Sequence, residues 1–287
     1  MDRWQVLDEV TDRLEAAGVP TPEVDARLLV DAVEDRFGSL EHCDRAVLDG
    51  LVARRAARVP LQVVLGRTTF RWVDLEVVPG VFVPRPETEI VAGLAIDACA
   101  GRRQAVVLEP CTGSGAIACA LLVEVPEVHV VATEVDDLAV DLARRNVAAV
   151  RAGRASPPAW RATGGADVEV LHGDLLAPVS PLLRGRVDVL VSNPPYLPSG
   201  DLPTMAPEVA GHDPHRALFG GEDGHELVAA LLAAAPVWLR PGGVVVLEID
   251  DRRGPEVAAA ATAAGLVDVR VVPDLTGRDR AVVAARP

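Results

Sequence analysis

A chain of 287 residues with 49% hydrophobic side chains can enclose a sizeable core, as one large domain or as a small domain beside a medium one. Its net charge of −14 disfavours direct nucleic-acid binding, and all 28 basic residues are arginine, which excludes Schiff-base and P-loop lysine chemistry. The longest apolar runs, such as 229–239, fall short of the roughly 20 residues that cross a bilayer, and the opening MDRWQVLDEV lacks a basic start followed by an apolar core. The expectation is a soluble, cytoplasmic protein with no membrane partner. Cys43, Cys99, Cys111 and Cys119 form no Cys-x-x-Cys pair and read as reduced thiols rather than a disulfide or zinc framework.

From Asp2 to about Ala57 the apolar residues recur at helical spacing (Val6, Val10, Leu14, then Val24, Leu28, Leu29, Ala32), interrupted by the turn GVPTPE. This predicts a helical unit over 1–59. Residues 60–84 change character: TTFRWVDLEVVPGVFV mixes β-branched and aromatic residues and reads as a linking β-hairpin around Pro79-Gly80. Over 85–287 strand-like runs alternate with helical patterns: AVVLE at 105, a helix from about 115, VHVVAT at 128, a helix from about 137, VEVLH at 168, VDVLVS at 187, a helix from about 224, GVVVLEI at 243, a helix from about 255, and VDVRVV at 267. Such alternation predicts an α/β fold with a doubly wound, mostly parallel sheet. The stretch 151–167 reads as a polar connector.

Ligands of such sheets bind beyond the carboxyl ends of the strands, so those ends carry the candidate site. After AVVLE comes PCTGSGAIA, in which Gly113 and Gly115 open a helix, and Glu134 ends the next strand 19 residues beyond Gly115. Glycines let the backbone approach a ligand, and an acid at that distance can accept from both ribose hydroxyls. Asp174, after the third strand, can accept from an adenine amino group or cap a helix. The run Gly113-x-Gly115-x-x-Ala118 also fits a dinucleotide fingerprint, so an NAD-dependent dehydrogenase is the competing reading. A noncatalytic binding module is the third.

The run VDVLVSNPPYLP, 187–198, separates them. Pro194 and Pro195 stiffen the loop and donate no N–H. The Asn193 side-chain oxygen and the Pro194 carbonyl can then accept two hydrogen bonds from one planar NH2 group, with the ring of Tyr196 beside it. Hydride transfer has no use for this device; methyl transfer to an NH2 nitrogen requires it, because the nitrogen must be aimed at the methyl carbon. The chain has two asparagines and one tyrosine, and one of each meets in this loop.

Taken together, PLQVVLGRTTF (60–70), FVPRPETEIV (82–91), TGSGAIA (112–118), SNPPYLP (192–198), PEVAGHDPHRALFGGEDG (207–224), LRPGGVVVLEI (239–249) and DLTGRDRAVVA (274–284) resemble, in order, the signatures of the HemK-type release-factor glutamine methyltransferases. These belong to the class I S-adenosylmethionine-dependent methyltransferases. Asn-Pro-Pro-Tyr alone is shared with enzymes methylating adenine in DNA, whereas PRPETE is specific to the glutamine group. The resemblance implies a seven-stranded sheet with the last strand antiparallel, and N-terminal helices that dock the substrate. It implies S-adenosylmethionine as cofactor, S-adenosylhomocysteine as product, and a glutamine of a peptide-chain release factor, in a Gly-Gly-Gln setting, as acceptor. Asn193 and Pro194 become the amide acceptors with Tyr196 and Pro195 beside them; Glu134 holds the ribose and Asp174 the adenine region. Glu109, Cys111, Thr112 and Asn193 are further cofactor-binding positions, and Gly113 and Gly115 border the methionine part. Pro84, Arg85, Pro86 and Glu87 line the pocket floor, Arg85 and Glu87 shaping it rather than reacting.

The chain departs from the family at EPCTG (109–113), where Glu109 and Cys111 stand in place of an aspartate and a glycine, at His215, where arginine is common, and at EIDDRRG (248–254). These departures leave a small-molecule N- or O-methyltransferase on the same scaffold as the alternative. His212, His215 and His225 lie near Pro214 on an apparent loop, and no metal is expected.

Overall fold

The computed structural model describes residues 2–40, 45–153 and 165–287; Cys43 and most of the expected connector 151–167 lie outside them. Helix α1 (Arg3–Ala16) begins where the Asp2 side chain accepts from the Trp4 amide at 3.2 Å. Helix α2 (Pro22–Phe37) has proline in its first turn and ends on Gly38 in the left-handed conformation. With α3 (Arg45–Ala56) and α4 (Leu61–Leu65) they bury one cluster, to which α1 contributes Val6, Val10 and Leu14 at the four-residue spacing the sequence shows. The helical packing therefore continues through Val64.

The β-hairpin pairs β1 (Arg67–Phe70) with β2 (Val73–Glu76), Phe70 opposite Val73. Its turn is Arg71-Trp72 rather than the expected Pro79-Gly80. Arg71 takes a φ of 51°, which closes a two-residue loop, while Pro79-Gly80 forms a separate turn in which the Val81 amide donates to the Val78 oxygen at 3.4 Å. Pro-Gly is the stronger turn signal, and it misplaces the hairpin by eight residues.

The rest builds a seven-stranded sheet. In chain order come α5 (Thr88–Ala98), β3 (Val106–Pro110), α6 (Ala116–Glu124), β4 (His129–Glu134), α7 (Asp137–Arg151), β5 (Asp167–His172), β6 (Val187–Ser192), the short helices α8 (Pro207–His212) and α9 (His215–Leu218), α10 (Glu226–Trp238), β7 (Leu239–Glu248), α11 (Gly254–Ala263), β8 (Val267–Pro273) and β9 (Asp279–Ala285). The strand order is β5-β4-β3-β6-β7-β9-β8. Pairs from β5 through β7 are parallel, and β9 runs antiparallel to both its neighbours. Alternation decides which way each side chain goes: on β3, Val107 joins the core with α5 and α6, and Leu108 the core with α10 and α11. Every residue of central β6 is buried, so its single outlet is its carboxyl end. The order reverses between β3 and β6, and a crevice opens above that switch point.

Candidate active site

Two cavities meet above the carboxyl ends of the strands. The larger, about 1020 Å³ including its open mouth, is lined by Glu109, Cys111, Thr112 and Gly113 after β3, Glu134 and Asp136 after β4, Asp174 after β5 and Asn193 after β6, with Pro84, Thr88 and Pro195 on its flank. The smaller, about 520 Å³ on the same basis, is lined by Arg85, Pro194, Tyr196, Leu197, Val209 and Leu218. Phe82, Asn193 and Ala217 border both.

In the larger cleft the Glu134 carboxylate is fixed by backbone amides: it accepts from Gly113 at 2.9 Å, Val135 at 2.8 Å and Asp136 at 3.1 Å. One side chain thus ties the loop after β3 to the loop after β4. Gly113 has a φ of 57°, and a Cβ built on it meets nothing within 4 Å, so its bare backbone faces open space. Gly115 lies behind the loop, its Cβ position 3.3 Å from Ala143 on α7. Glu109 is fully buried. Its Oε1 accepts from Thr112 Oγ1 at 2.8 Å, Oε2 has no partner, and burial pushes its pKa up to about 8. Burial and the nearby Glu134 push the Cys111 thiol up to about 12, so it is un-ionised and a poor nucleophile.

The loop after β6 is held on several sides. Ser192 Oγ donates to the Pro110 oxygen at 2.6 Å, the Leu197 amide donates to Leu218, and the Gly220 amide donates back to Leu197. A Cβ on Gly220 would sit 2.3 Å from the Pro195 oxygen, so only glycine permits this approach. Asn193 Nδ2 donates to Thr88 Oγ1 at 3.1 Å. Tyr196 donates its hydroxyl to Glu248 Oε1 at 3.1 Å, and burial beside that carboxylate raises the phenol pKa, keeping it un-ionised. Arg85, on the wall of the smaller cavity, pairs with Asp213, whose side chain is 1% exposed, and lies 5.0 Å over the Phe82 ring. Above that cavity, Glu208 on α8 accepts from Arg58 at 2.7 Å through both oxygens and from Arg55 at 2.9 Å. The helical unit is thereby tied to the cavity wall.

Most sequence-predicted positions converge here. Glu109, Cys111, Thr112, Gly113, Glu134, Asp174, Asn193, Pro84 and Pro195 line the larger cleft, and Asn193, Pro194, Tyr196 and Arg85 the smaller cavity. Gly115, Pro86 and Glu87 line neither. Gly115 is spent on close packing against α7, and Glu87 turns toward Arg278, 3.9 Å away. Sequence reasoning missed Thr88, Asp136, Asp213, Arg216 and Glu248. Asp136 caps α7 through Ala139 N at 2.9 Å and meets Arg216 at 2.9 Å; an aspartate before an apolar-periodic run was its signal. Among the described residues no group of three or more His, Cys, Asp or Glu is placed to hold a metal. His215 packs edge-on against Phe219, and His225 faces Glu256 at 3.1 Å. No helix among the described residues is long and apolar enough to cross a membrane.

Comparison with known proteins agrees with this architecture. Residues 77–206 match the methyltransferase small domain family. The chain is 43% identical over 289 residues to the release factor glutamine methyltransferase of Streptomyces coelicolor, covering 97% of this chain and 96% of that one. It is 40% identical over 296 residues to the Deinococcus radiodurans protein of that name, covering 100% and 99%. Among solved structures, a methyltransferase from Pyrococcus furiosus has the same fold, with a TM-score of 0.55 at 22% identity over 82% of this chain and 98% of that one. Identity at this level across the whole length reaches past a shared fold: the chain belongs to the release factor glutamine methyltransferase family.

Proposed function

We propose that this chain transfers a methyl group from S-adenosylmethionine to the side-chain amide nitrogen of a glutamine in a peptide-chain release factor, in the cytoplasm. The observation that supports this most is the place of Asn193, which borders both cavities at once. The larger cleft fits the cofactor. Gly113 offers bare backbone to open space, and the Glu134 carboxylate is pre-set at its edge. Glu134 then takes the ribose hydroxyls, Asp174 the adenine side, and Glu109, Cys111, Thr112 and Gly113 border the methionine part, with Gly115 bracing the loop from behind.

When bound, S-adenosylmethionine supplies a methyl group on a sulfonium sulfur, and transfer breaks that C–S bond, forms an N–C bond, releases one amide proton and leaves S-adenosylhomocysteine. The protein's own work is positioning. With Nδ2 placed on Thr88, Asn193 has Oδ1 left to offer the acceptor. Together with the Pro194 carbonyl it receives the two N–H bonds of the glutamine amide. Tyr196, its hydroxyl committed to Glu248, offers a ring face and no acid-base function. Arg85, held by Asp213 and Phe82, shapes the cavity. The helical unit of residues 1–59 supplies docking surface away from the chemistry, since one glutamine side chain offers too little contact to select a protein.

The dehydrogenase reading of Gly113-x-Gly115 is set aside, because the relatives are methyltransferases. The test is to offer labelled S-adenosylmethionine and this protein three acceptors: purified release factor, a short peptide carrying Gly-Gly-Gln, and a metabolite extract. Label in the release factor is the expected result. Label in the extract alone would overturn it in favour of a small-molecule methyltransferase.

A further inference from the structure

An asparagine amide selects an acceptor only if its two ends are told apart. Turned by 180° about its last bond, Asn193 would present an NH2 to an incoming NH2 and the site would repel what it should hold. The Thr88 hydroxyl, 3.1 Å from Nδ2, does not settle the matter alone, because a hydroxyl can accept from Nδ2 or donate to Oδ1 with equal ease. Its direction is set by whatever takes its proton.

A buried carboxylate faces it: α5 packs against β7, and Thr88 acts on Glu248 as a side-chain hydrogen-bond donor that favours its charged form. Glu248, at the end of β7 and 1% exposed, accepts from Tyr196 through Oε1, while its Oε2 is buried without a hydrogen-bond partner. Thr88 and Arg280 both favour its charged form, and Arg280, 9% exposed on β9, has its Nε equally unpartnered. An ionised oxygen with no partner in a buried place is costly unless a donor is directed at it. We propose that Glu248 is a positioning residue: its Oε2 draws the Thr88 hydroxyl proton, which leaves the Thr88 oxygen free only to accept from Asn193 Nδ2 and so locks Asn193 Oδ1 toward the acceptor cavity. Through Oε1 the same carboxylate holds Tyr196, so one side chain behind the loop orients both of its functional members.

The groups facing Glu248 are Thr88 and Glu87 from the start of α5, Tyr196 from the loop after β6 and Arg280 from β9. Burial outweighs the three that lower its pKa and pushes it up to about 7. Acidification through that point protonates Glu248, so that an oxygen which only accepted can now donate to Thr88, and the orientation loosens on the acid side.

The inference rests on the amide-acceptor role proposed for Asn193, and its test includes a measurement that does not. With only two asparagines in the chain, protein labelled with 15N-asparagine gives two side-chain NH2 pairs, of which Asn146 is an internal reference. Asn146 is held independently, accepting from Glu76 N at 2.8 Å and donating to the Ser114 oxygen at 2.9 Å. The Asn193 pair should be a single protected conformer in the wild type and in Thr88→Ser, and should broaden or split in Thr88→Val, Thr88→Ala and Glu248→Gln, with Asn146 unmoved. In parallel, kcat on release factor should fall at least about tenfold in Thr88→Val and Glu248→Gln, more than KM rises, and return to within about twofold in Thr88→Ser. Glu248→Gln should also lose the acid limb of the kcat profile near pH 7. An Asn193 signal indifferent to Thr88→Val and Glu248→Gln, or a Thr88→Ser no better than Thr88→Val, would overturn the inference. A wild type that shows the expected signals but leaves release factor unmethylated would instead count against the proposed substrate.

Discussion

The two cavities that meet at Asn193 are built in opposite ways. One wall of the larger cleft is made of consecutive strand ends, each loop supplying its residue where the strand stops, and its main cross-tie, Glu134 to Gly113, joins the loops of adjacent strands through residues 21 apart. The smaller cavity is made of distant segments brought together by single polar pairs: Asn193 with Thr88 at a separation of 105 residues, Arg85 with Asp213 at 128 and Arg58 with Glu208 at 150. A local site is set by the fold of the sheet. A site of long-range pairs is set by the placement of whole segments, and so depends on parts of the chain remote from the chemistry. Changes in the first should alter cofactor affinity, and changes in the second should alter turnover and acceptor affinity.

The largest expected effect lies on the shared wall. Asn193→Ala should lower kcat by about 10³ or more while the dissociation constant of S-adenosylhomocysteine, by calorimetry, stays within about twofold. Parallel loss of both would erase the division. Next come the buried carboxylates. Glu109, raised to about 8 in the fold from an ordinary 4.5, contributes stability that is present below about 4.5 and is lost as the pH rises through about 8. Denaturant melts should therefore show stability falling between pH 5 and 9, with Glu109 responsible for roughly 5 kcal/mol at most. Glu109→Gln should remove that part and leave the smaller loss near pH 7 due to Glu248. A wild-type stability flat over this range would show that Glu109 is hydrated rather than buried.

Glu134→Ala should weaken cofactor binding tenfold to a hundredfold, the range expected when hydrogen bonds to a charged acceptor worth about 1.5 to 3 kcal/mol are lost. Its kcat at saturating cofactor should hold within a few-fold, the converse of Asn193→Ala. The smallest effect concerns the tie to the helical unit. Arg55 and Arg58 hold the Glu208 carboxylate down at about 2, so Glu208→Ala should free α8 from α3. We expect KM for the release factor to rise about three- to tenfold and KM for a Gly-Gly-Gln peptide to change by less than twofold. Equal changes in both would place docking elsewhere.

The contrast between the cavities also governs what the sequence discloses. Six of the seven sheet strands stand out as apolar runs, and Gly113, Glu134 and Asn193 stand out at their ends, because local composition encodes both strand and stop. Strand β9 is hidden in its own run, since Asp279 and Arg280 open it with charge, and only the family resemblance supplies it. Helix α5 is masked by the prolines of PRPETE just before it. Asp213 and Thr88 carry no local mark of their partners, which lie a hundred residues away. Glu248 did leave a trace: an acid inside the apolar run GGVVVLEI has no reason to be there unless something buried needs it. Reading such intrusions together with their pairing, rather than alone, is what the fold adds.

The role proposed for Asn193 is to turn a cofactor cleft into an enzyme for the glutamine amide. The most direct measurement is mass spectrometry of purified release factor after incubation with S-adenosylmethionine and either wild-type protein or Asn193→Ala. The expected result is a single added methyl on the glutamine of Gly-Gly-Gln with the wild type, and none with a variant that still binds S-adenosylhomocysteine. Methylation of that glutamine by the variant at the wild-type rate, or a methyl placed by the wild type on any other residue, would contradict it.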